Sequence, residues 1–127
     1  MQLFSDCTSL EKVTLPDGIT EMGEQAFSRC LKLTSFVIPD KVTTVSNHLL
    51  FCCENMNEIT IPNGVTTIEW GAFSSCYGLK SITIPESVVS IGDMVFEQDY
   101  ELTTICGKSG SYAESYAKEN GYKFIAQ

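Results

Sequence analysis

The sequence predicts an α/β repeat protein: a leucine-rich-repeat solenoid with a parallel β-sheet on one face, short helical turns opposite and a C-terminal capping helix. Three observations carry that prediction. One pattern, clearest in residues 61–85 (IPNGVTTIEWGAFSSCYGLKSITIP), returns every 23 residues. All four prolines (Pro16, Pro39, Pro62, Pro85) and four of the six cysteines (Cys7, Cys30, Cys53, Cys76) fall on that period without a slip. Each unit also carries the spacing Leu-x-x-Ile-x-Ile, and a fixed period of about 20 to 29 residues with that spacing marks units that form one coil each and stack on their neighbours.

Placing the units in register separates inward from outward positions, because a side-chain class repeated at every equivalent residue occupies the same environment in each coil. Phe4, Phe27, Leu50, Phe73 and Phe96 form one apolar column. Others are Leu10, Leu33, Met56, Leu79 and Leu102, then Val13, Phe36, Ile59, Ile82 and Ile105, then Leu15, Ile38, Ile61 and Ile84. Two more run through Ile19, Val42, Val65 and Val88 and through Met22, Val45, Ile68 and Ile91. These columns are the expected core. At the coil spacing of about 4.8 Å the phenylalanines are expected to stack as a continuous row of rings.

Within each unit the segments VTL, FVI, ITI, ITI and TIC alternate inward and outward residues and are rich in β-branched types, which predicts strands pairing in parallel. Proline directly after the second apolar residue removes a backbone donor and closes the strand in each of the first four units. The other half of the unit, as in WGAFSSC, is too short for a regular helix, so a single α or 3₁₀ turn is expected there.

The repeat occupies residues 1–106, about four and a half units, and gives way to a cap at 107–127. Ser111 is a good N-cap, Glu114 three residues on completes a capping box, and Gly121 supplies the stop, which predicts a helix over 112–120. Tyr112 with Tyr116 and Ala113 with Ala117 share its i,i+4 face, suited to docking on the last coil, and YKFI can add a short extended segment. At the other end Leu3 and Phe4 stand in the register of Ala26 and Phe27, so the chain starts partway through a unit. That end is expected to be uncapped and to invite end-to-end self-association.

Sixteen acidic against eight basic residues give a net charge of −8 with no basic cluster, which disfavours nucleic acid and anionic membrane surfaces. No apolar run approaches the roughly 18 residues that span a bilayer, and MQLFSDC has neither a basic n-region nor an apolar h-region. Membrane insertion is not expected.

The unit IPNGVTTIEWGAFSSCYGLKSITIP resembles the BspA-type leucine-rich repeat of bacterial surface proteins over residues 1 to about 106, and the tail GSYAESYAKENGYKF resembles the closure of those proteins. The resemblance implies a secreted or cell-surface protein of a host-associated bacterium, used for adhesion or for binding protein ligands. The third unit departs from the pattern: Leu50 replaces Phe, and Ser46 and Leu49 replace the common Gly and Ala.

Candidate chemistry is sparse. Equivalent Cα atoms in neighbouring coils lie about 4.8 Å apart, within the roughly 4.4–6.8 Å that a disulfide spans, so Cys7 with Cys30 or Cys53 with Cys76 could bridge. The favoured reading is a ladder of buried free thiols packing as small hydrophobes. A zinc site needs four ligands converging on a point, whereas a column spreads sulfurs along a line. Cys106 sits in an outward register, with no cationic neighbour to activate it. The single histidine, His48, has no spacing that brings Ser46 or Cys52 into a triad and reads as a surface or turn residue. GKSG lacks the rest of a phosphate loop. Asp99 and Glu101 read as solvated charges in a rim turn. No cofactor, metal or catalytic residue is expected.

Subtracting the columns leaves five large side chains the fold does not require. Leu31, Tyr77 and Tyr100 share one register outside the core, while Phe51 and Trp70 fill registers held elsewhere mostly by Ser or acidic residues. Aromatic anchors are enriched where partners bind, so these are the candidate partner-binding residues. The outward strand positions, from Lys12 and Thr14 to Thr104, form a small, Thr-rich face with few anchors. The sequence thus points to a non-catalytic binding or adhesion module for a protein or glycan, with a purely structural spacer as the alternative.

Overall fold

The computed structural model describes residues 4–127; Leu3 lies outside them. The chain winds as stacked coils: coil 1 (4–22), coil 2 (23–45), coil 3 (46–68), coil 4 (69–91) and coil 5 (92–107), followed by the cap. The first face is built from β1 (Ser35–Val37), β3 (Glu58–Thr60), β5 (Ser81–Thr83) and β7 (Thr104–Gly107). Pairing is parallel and in register, Phe36 opposite Ile59 and Ile82 opposite Ile105, so the central, inward residue of each strand continues its column. β3 and β5 lie side by side without a ladder between them. Residues 13–15, expected as the first strand, form none. Among the described residues no backbone hydrogen bond joins residues 11–16 to 34–39.

A second sheet, not foreseen, runs along the Val42 and Val45 registers: β2 (Thr44–Val45), β4 (Thr67–Ile68) and β6 (Ser90–Ile91) pair in parallel. The proline turn connects the two sheets. The carbonyl of Pro39 accepts the amide of Val42 (3.0 Å), Pro62 that of Val65 (3.2 Å) and Pro85 that of Val88 (3.1 Å). Each proline therefore ends one strand and sets the turn that starts the next.

The remaining side of each coil corrects the expectation of helical turns. It is a ribbon of turns, many of them closed by an amide on the carbonyl three residues back, as for Leu49 on Ser46 and Cys53 on Leu50. The third residue of these turns is left-handed: His48 (φ 52°) and Cys52 (φ 59°) in coil 3, Gly71 (63°) and Ser75 (61°) in coil 4, Met94 (59°) and Gln98 (65°) in coil 5. In a helix every amide points along the segment's own axis. A left-handed residue turns the peptide plane, so alternate amides point at the next coil instead. His48 N–H reaches the Trp70 carbonyl (3.1 Å), Leu50 that of Ala72 (2.9 Å) and Cys52 that of Ser74 (2.9 Å), and coils 2 and 4 repeat the pattern.

From coil 2 onward the columns are buried as expected, Ile91 only partly, whereas in coil 1 Phe4 is exposed and Leu10, Val13, Leu15, Ile19 and Met22 are half-buried. Leu33, Met56, Leu79, Ile38, Ile84, Val65 and Val88 are fully enclosed, and a further column of Ala26, Leu49, Ala72 and Val95 joins them. The ring row is not continuous. Phe4 stacks on Phe27 (5.1 Å, 12°) and Phe73 lies 6.0 Å from Phe96, but Leu50 fills the middle of the column and separates the pairs.

Beyond coil 5 the cap follows its sequence signals closely. α1 spans Tyr112–Glu119, one residue shorter than expected, with Ser111 Oγ accepting the Glu114 amide and the Glu114 carboxylate accepting the Gly110 amide (2.8 Å). Gly121 (φ 81°) follows the Asn120 C-cap, and Tyr122 N–H returns to the Ala117 carbonyl (2.9 Å), the long bond of a Schellman closure. β8 (Lys123–Ala126) then pairs in parallel with β7, Phe124 opposite Ile105. Ala113 and Ala117 are fully buried, and the phenylalanine column ends against Tyr116 (6.1 Å) and Tyr122 (6.0 Å).

Because Phe73 is fully buried between coils with one aromatic neighbour in its column, Phe73→Ala is expected to destabilise the fold by about 3–5 kcal/mol. A chemical denaturation showing a loss below about 1 kcal/mol would contradict its place in the core.

Candidate functional site

The column of cysteines shows how coil spacing shapes chemistry. All six cysteines are free. Cys30, Cys53 and Cys76 are completely buried, and each thiol donates to the carbonyl of the phenylalanine-column residue 26 positions earlier: to Phe4 (3.2 Å), Phe27 (3.2 Å) and Leu50 (3.3 Å). A small side chain with a weak donor suits this niche, since it fills the gap and satisfies a carbonyl. Burial pushes Cys30 up to about 11 and Cys53 to about 12, and holds Cys76 well above the usual thiol range. These groups are therefore protonated at neutral pH, which is not the state of a nucleophile. Cys106 is half-buried in β7.

The next residue in that register is Asp99, and here the sequence reading fails. Asp99 is not a solvated rim charge but is 6% exposed. Its Oδ1 accepts the amide of Cys76 (2.7 Å), so the carboxyl reverses the direction of the thiol ladder, and Oδ2 is buried without a hydrogen-bond partner. Burial raises this carboxyl to about 8, the bond from Cys76 N–H opposing the shift. The missed signal was positional, since Asp99 stands one period after Cys76. Glu101 is exposed, as expected.

The five candidate binding residues fall into two groups and one outlier. Phe51 and Trp70 belong to adjacent coils and are bridged by His48, whose ring meets Trp70 edge-on at 4.4 Å and Phe51 at 5.0 Å. His48 is thus half-buried between two rings, a role its spacing in the sequence did not suggest. Gly71 makes the room, because a Cβ there would lie 2.6 Å from His48 Nε2. Trp70 remains 46% exposed. Tyr77 and Tyr100 stand at the far end of the ribbon on coils 4 and 5, with parallel planes (1°), centroids 6.3 Å apart and exposures of 39% and 79%. Leu31 shares their register two coils away, with Glu54 between, and its carbonyl accepts from Asn55 Nδ2 (2.7 Å).

The strand face offers less. Val37 (64%) and Ile125 on β8 (43%) are its exposed large apolar residues, and the other outward strand residues are small, polar or charged. Among the described residues no three His, Cys, Asp or Glu side chains group to hold a metal ion, and no helix is long and apolar enough to cross a membrane.

Stacked parallel coils, joined by short parallel strands on one side and a ribbon of turns on the other, define a leucine-rich-repeat solenoid. The chain belongs to the BspA-type leucine-rich-repeat family, six copies of that repeat being matched over residues 1–106. It is similar to a leucine-rich cell surface protein of Faecalibacterium prausnitzii A2-165 (34% identity, 84% of this chain and 28% of that one, TM-score 0.78). It also resembles a leucine-rich repeat protein of Bacteroides ovatus ATCC 8483 (33% identity, 80% of this chain and 26% of that one, TM-score 0.76). A leucine-rich repeat protein of T. pallidum matches at 25% identity over 72% of this chain and 56% of that one, with a TM-score of 0.57. The chain thus spans about a quarter of the length of the first two. A search of curated proteins finds no match.

Two outcomes follow from these geometries. The Asp99 carboxyl keeps its proton up to about pH 8 when folded but has an ordinary value of 3.8 when exposed, so folding takes up a proton between those values. Stability is expected to fall as pH rises from about 4 to 8 and to level off above; in Asp99→Asn that slope should vanish from denaturation curves measured across the range. Gly71→Ala should destabilise by about 1–3 kcal/mol, and adding His48→Ala should recover part of that loss in a double-mutant cycle.

Proposed function

We propose that this chain is a non-catalytic binding module of a bacterial cell-surface or secreted protein, presenting aromatic rings on a rigid ribbon to a protein or glycan used in adhesion. The observation that carries this reading is the Tyr77–Tyr100 pair. The two rings are held parallel on consecutive coils, exposed by 39% and 79%, at positions the repeat does not need for its core. Two rings fixed by the coil spacing form a flat anchor that loses little side-chain freedom on binding, which is how tyrosines contribute to recognition surfaces. Trp70, steadied by His48 and Phe51, supplies a second anchor on the same ribbon, and Leu31 would extend the tyrosine row. Similarity to a cell surface protein of F. prausnitzii supports the location, and the acidic balance favours partners other than nucleic acid or anionic membranes.

The alternative, an architectural spacer, is favoured by the strand face, where Ser35, Glu58, Thr60, Ser81 and Thr83 leave no anchoring group. The two readings separate when the chain is passed at physiological salt over immobilised host matrix proteins and mucin glycans. A binding module is retained. The Tyr77→Ser/Tyr100→Ser variant is expected to keep its denaturation midpoint while losing affinity about tenfold or more, since central aromatic anchors cost about 2 kcal/mol or more each. Absence of any retention by the unaltered chain would select the spacer.

A further inference from the structure

The strand face is interrupted inside the stack. Coils 2 and 3 are joined there by the β1–β3 ladder, flanked by the Asn57 amide on the Thr34 carbonyl (2.9 Å) and the Ile38 amide on that of Thr60 (3.1 Å). Coils 4 and 5 repeat the arrangement through β5 and β7, with the Thr103 amide on Lys80 (3.1 Å) and the Ile84 amide on Cys106 (2.9 Å). Between coils 3 and 4 the ladder and both flanking bonds are missing: among the described residues, no backbone hydrogen bond joins residues 57–61 to residues 79–86. A cleft of about 280 Å³ opens along that line. Ile59 and Ile61 line it and keep 6% and 7% exposure, against 0–3% for Phe36, Ile38, Ile82 and Ile84.

The other two sides of the same joint are closed. On the turn ribbon His48, Leu50 and Cys52 donate to Trp70, Ala72 and Ser74, and Gly78 N–H reaches the Glu54 carbonyl (3.1 Å). On the second sheet β4 pairs with β6, Val89 N–H reaches the Thr66 carbonyl (2.9 Å) and the Ser87 hydroxyl donates to the Val65 carbonyl (2.7 Å). At the corner where these sides meet, residues 68–70, the Ile68 carbonyl accepts Gly92 N–H (2.7 Å), Glu69 N–H reaches the Val45 carbonyl (2.8 Å) and the Trp70 ring packs on His48. Among the described residues no pair of core rings spans the joint. Phe4, Phe27 and Phe36 pack together before coil 3 and Phe73 with Phe96 after it, while coil 3 supplies Leu49, Leu50, Met56 and Ile59 to the core. Met56 is unbranched and adaptable, so this aliphatic layer tolerates a small change in coil separation that interlocked rings would resist.

We infer that the solenoid flexes at this joint, coils 2 and 3 moving as one body and coils 4 and 5 with the cap as another, so that the cleft between β3 and β5 widens and narrows about the closed corner at residues 68–70. The β1–β3 ladder holds the first body together, and the β5–β7–β8 sheet with α1 packed on β7 holds the second. Motion of this kind is drawn to the place where hydrogen bonds are fewest and packing is least interlocked. Trp70 and His48 lie beside the axis, so the aromatic ribbon keeps its geometry. The strand face does not: Glu58 and Thr60 stand on one lip of the cleft and Ser81 and Thr83 on the other, and the distance between the two rows changes as the joint bends.

Amide hydrogen exchange and residual dipolar couplings, both measured by NMR on the full chain, test this directly. The amides of Ile61 and Lys80 are expected to exchange about tenfold or more faster than those of Ile38, Ile84, Asn57 and Thr103, which hold the equivalent positions at the closed joints. The couplings are expected to require two alignment frames, one for residues 23–68 and one for residues 69–127, each consistent within itself. A single rigid frame for residues 23–127 would overturn the inference whatever the exchange rates. So would protection of Ile61 and Lys80 equal to that of Ile38 and Thr103, or a division between frames at any other joint.

Discussion

Everything in this solenoid depends on the alternation of peptide planes along the turn ribbon. Each interior coil directs alternate amides at the coil that follows, as His48, Leu50 and Cys52 do toward Trp70, Ala72 and Ser74. This ladder fixes the spacing at which thiols reach carbonyls and tyrosine planes lie parallel. The strands contribute short stretches only, with two or three paired residues apiece before the cap. Left-handed residues are the cost of this arrangement: most are not glycine, and a bulky residue at positive φ is strained. The inter-coil bonds they permit, repeated from coil to coil, offset that strain.

The column that begins with cysteines shows one niche used in two chemical senses. Three thiols donate backward to carbonyls, and a carboxyl at the end of the row accepts from an amide instead. The aspartate occurs where the repeat meets its cap. There the neighbouring coil is replaced by a helix and a strand that returns 19 residues on, with Phe124 opposite Ile105. The junction therefore holds the one buried side-chain oxygen among the described residues that lacks a partner, near Tyr122, one of the tyrosines that close the phenylalanine column.

The apolar columns were legible because periodicity reports environment: Val65, Leu79 and Ile84 recur where the core requires them and are fully buried. The cap was legible because Ser111, Glu114 and Gly121 are local signals with a local mechanism. The ribbon was not, since Gln25, His48 and Met94 carry none of the glycine signature that marks positive φ. Asp99 was misread by residue type when its register told the truth. The strand expected at residues 13–15 failed for a tertiary reason, for its pattern matches the others but no neighbouring backbone pairs with it. At the candidate site the sequence isolated Trp70, Phe51, Tyr77 and Tyr100 by subtraction. That His48 ties the first two together, and that the tyrosines lie parallel, depends on side-chain directions between coils, which a single repeat does not encode.

The placement of the aromatic residues also divides the molecule optically. Trp70, the single tryptophan, sits at the junction of coils 3 and 4 against His48, while Tyr100, Tyr112, Tyr116 and Tyr122 gather on coil 5 and the cap. Tryptophan emission therefore reports the middle of the stack, and the near-ultraviolet signal of tyrosine is weighted toward its closed end, where four of the five tyrosines lie. A stack whose coils touch only their neighbours loosens from an end, so the order in which these two signals change gives the direction of unravelling.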